Sequence, residues 1–215
     1  MANRPGKYLA LDCEMVGVGI DGTESSLARV SLVNFYGAVI LDEFVRQKER
    51  VVDYRTQWSG IRESDMVKGK YFLSHLFFSA DFVQAKSFEE VQKKVSDLLE
   101  NNVLIGHAVH NDLKALLLSH PRASTRDTQY YAHKFGLTKS SRIALRNLVK
   151  QELDLTIQSG EHSSVSPFSD NGLNLRLEQR IGDRCTSNDG CIPATQTRVG
   201  EEQPGLCDTL KGTST

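Results

Sequence analysis

This sequence predicts an α/β layer fold, and three observations predict it. Strand-like alternation opens the chain, and two more β-rich runs follow at once. From residue 87 onward, amphipathic helices alternate with short apolar strands. At 215 residues the chain is long enough for one domain with a proper core.

In "KYLALDCEMV", Leu9, Leu11, Cys13 and Met15 fall on one face and Ala10, Asp12 and Glu14 on the other, the two-residue period of a strand. "LARVSLVNFYG" and "AVILDEFV" divide at Tyr36-Gly37 and read as a hairpin, so the start is three-stranded and antiparallel. "SFEEVQKKVSDLLENN" predicts an amphipathic helix. Ser87 and Glu90 form a capping box, and Phe88, Val91, Val95, Leu98 and Leu99 form the apolar stripe. "VLIGH" reads as a short buried strand and "NDLKALLLSHP" as a helix stopped by Pro121. "SSRIALRNLVKQEL" adds a helix with Leu145, Leu148, Val149 and Leu153 on one side. Residues 69–84 are strongly apolar with no amphipathic pattern and read as an insertion. Residues 166–215 are rich in Ser, Thr, Gly, Asn and Asp, with little periodicity, and are expected to be disordered.

The formal net charge is -1, so no overall basic field points to nucleic acid, and a phosphate-binding site must be built locally. No apolar run reaches membrane-spanning length, and the first residues lack a signal-peptide core. Four cysteines are present. Cys13 reads as a buried thiol, while Cys185, Cys191 and Cys207 lie in the polar tail without zinc-finger spacing. A disulfide framework is not expected, and the chain reads as soluble and intracellular.

Asp12 and Glu14 stand two apart on one strand, so both carboxylates project from one face. Such a pair is either the solvent-facing side of an edge strand or a site neutralised by an oxygen-preferring cation, Mg²⁺ or Mn²⁺. Asp112 stands where a strand hands over to a helix, either as a helix N-terminal acid or as a partner to the first pair. His107 and His110 are metal-ligand candidates or packed structural histidines. His162, in "GEHSS", has an unperturbed pKa of about 6.5, near neutral pH, and can take a proton from water.

In their order, "ALDCEMVG", "NVLIGHAVHNDLKAL", "RDTQYY", "ALRNLV" and "GEHSSV" resemble the DEDDh 3′→5′ exonucleases, closest to the RNA exonuclease 4 branch. The resemblance covers about residues 7–68 and 85–165, within an exonuclease domain at 5–165. It implies an RNase H-like fold, a mixed five-stranded sheet flanked by helices. It also implies two Mg²⁺ or Mn²⁺ ions held by acids that include Asp12, Glu14 and Asp112, with His162 as general base. The implied reaction releases nucleoside monophosphates from RNA or single-stranded DNA. Met15 and Val16 are implied at the terminal base, with His107 and Asn111 as further substrate contacts. Asp127 is implied to be structural. Arg126, Arg142, Arg146 and Lys150 are either backbone contacts for RNA or a solvated helix face. A nuclear or nucleolar role in ribosomal RNA processing, on pre-ribosomal particles, is implied as well, with no membrane partner.

The fourth acid of the family pattern belongs five residues after the histidine, where this chain has Pro167; Asp170 is the nearest acid. The family's final helix is therefore expected to be lost, leaving as an alternative function an RNA-binding or assembly module with impaired catalysis. The tail carries its own explanation. Back-translated and read one nucleotide later, "DRCTSNDGCIPATQTRVGEE" can encode "TDARAMTAVYRLHKLEWEK", an acid followed by an amphipathic helix. Val165-Ser166 can encode a splice donor and Ile181-Gly182 an acceptor. Splicing between them joins "HSSV" to "TDARAM" and restores the acid. Residues 69–84 admit a similar donor at Gly69-Lys70-Tyr71.

Overall fold

The strand read around residues 9–15 is the centre of the molecule. In the computed structural model, which describes residues 4–67, 85–157 and 170–186, β1 spans Tyr8–Val18. On one side it pairs antiparallel with β2 (Glu24–Asn34), and β2 pairs antiparallel with β3 (Val39–Phe44). The turn falls at Gly37, φ 77°, where the Asn34 carboxamide oxygen accepts from Tyr36 N and Ala38 N. On its other side β1 pairs parallel with β4 (Val103–Gly106), and β4 pairs parallel with β5 (Thr125–Asp127). The result is a mixed five-stranded sheet ordered β3-β2-β1-β4-β5.

Two short helices, α1 (Thr56–Ser59) and α2 (Glu63–Val67), follow β3. The capped helix is α3, Phe88–Leu99, with Ser87 Oγ accepting from Glu90 N at 3.2 Å. Its Val91, Val95 and Leu99 pack with Leu9, Leu11, Leu32 and Leu104 into the main core. α4 (His110–Ala115) is shorter than the sequence suggests. The chain leaves the helix at Leu117, φ 53°, so that Leu116 and Leu118 both pack into the core while Leu117 is 75% exposed. Pro121 is therefore not its terminator. α5 (Thr128–Lys134) and α6 (Leu145–Leu153) follow.

The expectation of a lost final helix is corrected. Residues Asp170–Thr186 form α7, inside the stretch read as irregular. Leu173, Leu177 and Ile181, spaced four apart, bury against Ala132 of α5 and Leu145, Leu148 and Val149 of α6. Leu175 packs on the opposite sheet face from α3, with Ala10, Val33 and Ile105. Each such leucine contributes roughly 1.5–3 kcal/mol. That burial overrides the poor helix propensity of Asn171, Gly172 and Asn174. The apolar 69–84 segment lies outside the described residues.

A β-bulge interrupts the β1–β2 ladder. Glu14 pairs with Arg29 and Met15 with Leu27, which leaves Ala28 between them. The bulge turns Val16 and Ala28 into a separate cluster with Val18 and Ile61.

Candidate active site at the open edge of the central strand

β4 pairs with β1 only from Tyr8↔Val103 to Ala10↔Ile105, and its strand ends at Gly106. Between Ala10 and the bridge from Gly17 to Asp53, β1 runs with that edge unpaired by any strand, and a backbone N–H left without a partner there would be costly. The first turn of α4 fills the gap, with Asp112 Oδ1 accepting from Cys13 N at 3.0 Å. Asp12 and Glu14 flank Cys13 in sequence and share the opposite face of β1. The three acids thus meet around one residue. Its thiol shows their combined field: burial pushes Cys13 well above the usual thiol range. The charges of Asp112, Asp12 and Glu14, and a thiol–Asp112 hydrogen bond, push it further.

Burial also raises the Asp112 carboxyl, to about 7, against the opposing pull of hydrogen bonds from Cys13 and from its own backbone; the charge of Asp127 adds to the rise. Arg29 faces Glu14 across the ladder. Its guanidinium is held charged mainly by a bidentate bond to Asp42 at 2.7 and 2.8 Å, with Glu14 and Asp12 adding to the effect. Its fork is therefore engaged away from the acids.

Oxygen donors of this kind, partly buried and crowded with negative charge, have the chemistry a hard divalent cation needs. Among the described residues, however, no three His, Cys, Asp or Glu side chains gather into a ligand group. Asp12, Glu14 and Asp112 share a neighbourhood without being drawn together as ligands.

Asp127 sets the turn that delivers Asp112. Its carboxylate accepts from Ala108 N at 3.1 Å, Val109 N at 3.0 Å, Gln129 N at 2.9 Å and Tyr130 N at 3.2 Å. It therefore caps α5 and pins the β4–α4 turn, where Ala108 sits at φ 53°. A Cβ on Gly106 would stand 2.8 Å from Val109 Cγ2, so only glycine admits this close turn. The Asp127→Ala protein is expected to lose about 3 kcal/mol or more, because four backbone donors lose a charged acceptor. Thermal melting checks this, and a Tm unchanged from the parent would refute it.

His107 is a bridge inside the fold. Nε2 donates to Ile143 O at 2.9 Å, and Nδ1 lies 3.0 Å from Thr128 Oγ1. The Thr128 hydroxyl reaches Asn174 Oδ1 of α7 at 3.1 Å. With both ring nitrogens engaged, His107 serves as a structural link, one of the two roles that the sequence left open. Val16 is corrected: it is fully buried beside Ile61, turned inward by the bulge, and presents nothing to a base. Met15 packs at the margin of the main core. Asn111 and His110 are exposed at the start of α4. His162 lies outside the described residues.

No family model matches the chain. Curated relatives do. The RNA exonuclease 4 of Cryptococcus neoformans var. neoformans serotype D is 49% identical over 161 residues, 75% of this chain and 36% of that protein. That of Mycosarcoma maydis is 51% identical over 163 residues, 75% and 39%, and that of Debaryomyces hansenii 44% over 176 residues, 82% and 59%. The chain belongs to the RNA exonuclease 4 branch of the exonucleases. It spans between 36% and 59% of the length of these three relatives. Solved structures similar to the chain include modules that contain a nuclease. The Saccharomyces cerevisiae Pan2 module in complex with AAGGA RNA superposes with a TM-score of 0.68 at 26% identity, covering 86% of this chain and 30% of that one. The PAN2 pseudoubiquitin-hydrolase–RNase module of the same yeast gives 0.69 at 25%, covering 86% and 29%. The RNase H-like mixed sheet expected from the sequence is borne out.

Proposed function

We propose that the domain is a metal-dependent 3′→5′ exoribonuclease that releases nucleoside monophosphates from RNA, with single-stranded DNA as a second substrate. The convergence of Asp12, Glu14 and Asp112 on Cys13 at the open edge of β1 carries this reading. Asp12, Glu14 and Asp112 would hold two Mg²⁺ or Mn²⁺ ions. Bound there, the ions would supply charge neutralisation for the phosphodiester under attack. His162 would take the proton from the attacking water. Exposed Asn111, together with Met15 beside Glu14, would meet the terminal nucleotide. By its family the domain would act on pre-ribosomal particles in the nucleus or nucleolus, in ribosomal RNA processing.

A second reading is supported by Pro167, which stands five residues after His162 where the family pattern has an acid. It is an RNA-binding or assembly module with impaired catalysis. The full chain, incubated with 5′-labelled single-stranded RNA and Mn²⁺, distinguishes the two. Stepwise shortening from the 3′ end, lost on chelation and in Asp12→Ala, is the expected result. RNA that is bound yet stays full length in excess Mn²⁺ would establish the second reading. Melting curves give an independent readout, since Mn²⁺ is expected to raise the Tm of the parent more than that of Asp12→Ala.

A further inference from the structure

The formal net charge of -1 conceals a basic segment. Residues 121–150 hold seven Lys and Arg and one acid, Asp127, whose carboxylate is occupied by backbone N–H groups. The structure sorts the seven. Lys150 pairs with Asp154 at 2.6 Å, and Arg126 turns back to the carbonyls of Ala123 and Thr125. Arg122 precedes β5, at the far end of the sheet from the acids. Lys139 and Arg142, in the loop before α6, and Arg146, in its first turn, are exposed and have no acidic partner among the described residues. That loop is tied down at Ile143, whose carbonyl accepts from His107 and Gln129 at 2.9 and 3.0 Å. His107 follows directly on β4. The loop therefore sits where the parallel strands end, the end at which Asp112 meets Cys13.

Beside it runs an aromatic ledge. Tyr130, in the first turn of α5, is 52% exposed. It meets Tyr131 edge-on at 5.3 Å, and Tyr131 stacks on Phe135 at 5.6 Å. Lys134 Nζ lies 5.9, 5.6 and 5.6 Å from the centroids of these three rings. A solvent-facing ring next to cations without acidic partners among the described residues has the chemistry of a single-stranded nucleic acid track, with a face for bases to stack on and charges for the backbone.

We propose that Tyr130 and Lys134 of α5, with Lys139, Arg142 and Arg146, carry the RNA strand upstream of its 3′ end. This rests on RNA as the ligand, which both readings of the function share. The test is the affinity of the full chain for a fluorescent single-stranded RNA of about a dozen nucleotides, measured across a salt series in EDTA. In the triple variant Lys139→Gln/Arg142→Gln/Arg146→Gln, the slope of log K against log salt is expected to flatten by roughly 2, about 0.7 for each phosphate that is no longer neutralised. Affinity at low salt falls with it. Tyr130→Ala is expected to weaken binding roughly tenfold without changing the slope. Lys93→Glu, exposed on α3, leaves both unchanged and controls for net charge. Triple-variant and Tyr130→Ala proteins that bind as tightly and with the same slope as the parent would overturn the track and leave this face to a protein partner. A parent that binds no RNA at all would sink the functional reading along with it.

Discussion

The Asp112→Asn protein is expected to melt higher than the parent at pH 8 and to lose nearly all RNA trimming. Asparagine keeps a carbonyl oxygen for Cys13 N–H, so the cap on the open edge of β1 survives. What it removes is a buried charge. In the folded protein the Asp112 carboxyl lies at about 7, pushed up chiefly by burial, against about 3.9 in the unfolded chain. A carboxyl raised in this way favours the folded state while it stays protonated. Below about pH 4 it is protonated in both states and the substitution changes nothing. Between about pH 4 and 7 only the unfolded chain ionises, so the parent loses stability as pH rises, and the advantage of asparagine is full above 7. Its upper bound is about 4 kcal/mol without metal, worth up to roughly 16 °C in Tm for a domain of this size. Trimming should fall by on the order of 10²–10³ or more, the scale of losing one electrostatic stabiliser. Melting at pH 5 and 8, with and without Mn²⁺, checks the argument. The metal should stabilise the parent most at pH 8, where it competes with no proton. Undiminished trimming by Asp112→Asn would remove Asp112 from the site altogether.

What the sequence made legible was local. The alternation around Asp12, the turn at Gly37 and the Ser87 cap each depend on residues a few positions apart, and each stands as read. The acids of the candidate site were legible for the same reason: Asp12 and Glu14 share a strand face whatever surrounds them. What failed depended on distant partners. Leu173, Leu175 and Leu177 lie in the stretch read as aperiodic and disordered, and become helical because α5, α6 and the sheet offer apolar surface on two sides. Val16 reads as a surface wedge until the unpaired Ala28 swings it toward Ile61. His107, open in the sequence between ligand and packed structural histidine, takes its place only through Thr128 and the carbonyl of Ile143, which engage its nitrogens. The role of Asp127 was half legible. An acid before a helix signals a cap, yet its hold on Ala108 and Val109 joins segments that no local pattern brings together.

The mature message is expected to lack roughly fifty nucleotides after the Ser164 codon, an intron rather than coding sequence, with the valine restored from the acceptor side. The chain spelled by the joined message should be the stronger enzyme. In this chain the first acid after His162 is Asp170, at the first residue of α7, and the helix continues through Asn171 and Gly172, both poor helix formers. The shifted reading joins "HSSV" to "TDARAMTAVYRLHKLEWEK", with an acid five residues after the histidine and a helix rich in Ala, Leu and Lys. Both properties follow from one reading frame. If an acid at that place completes the cation site, the joined chain should trim RNA on the order of 10²-fold faster or more, by the scale that one electrostatic group commands. A helix with better propensity over the same apolar surface should raise Tm as well. Sequencing the cDNA across codons 164–183 and assaying both chains side by side decides the matter. A message that retains these codons, encoding a chain that trims at the rate of the joined one, would make Pro167 and α7 native features. The fourth acid would then be dispensable in this branch.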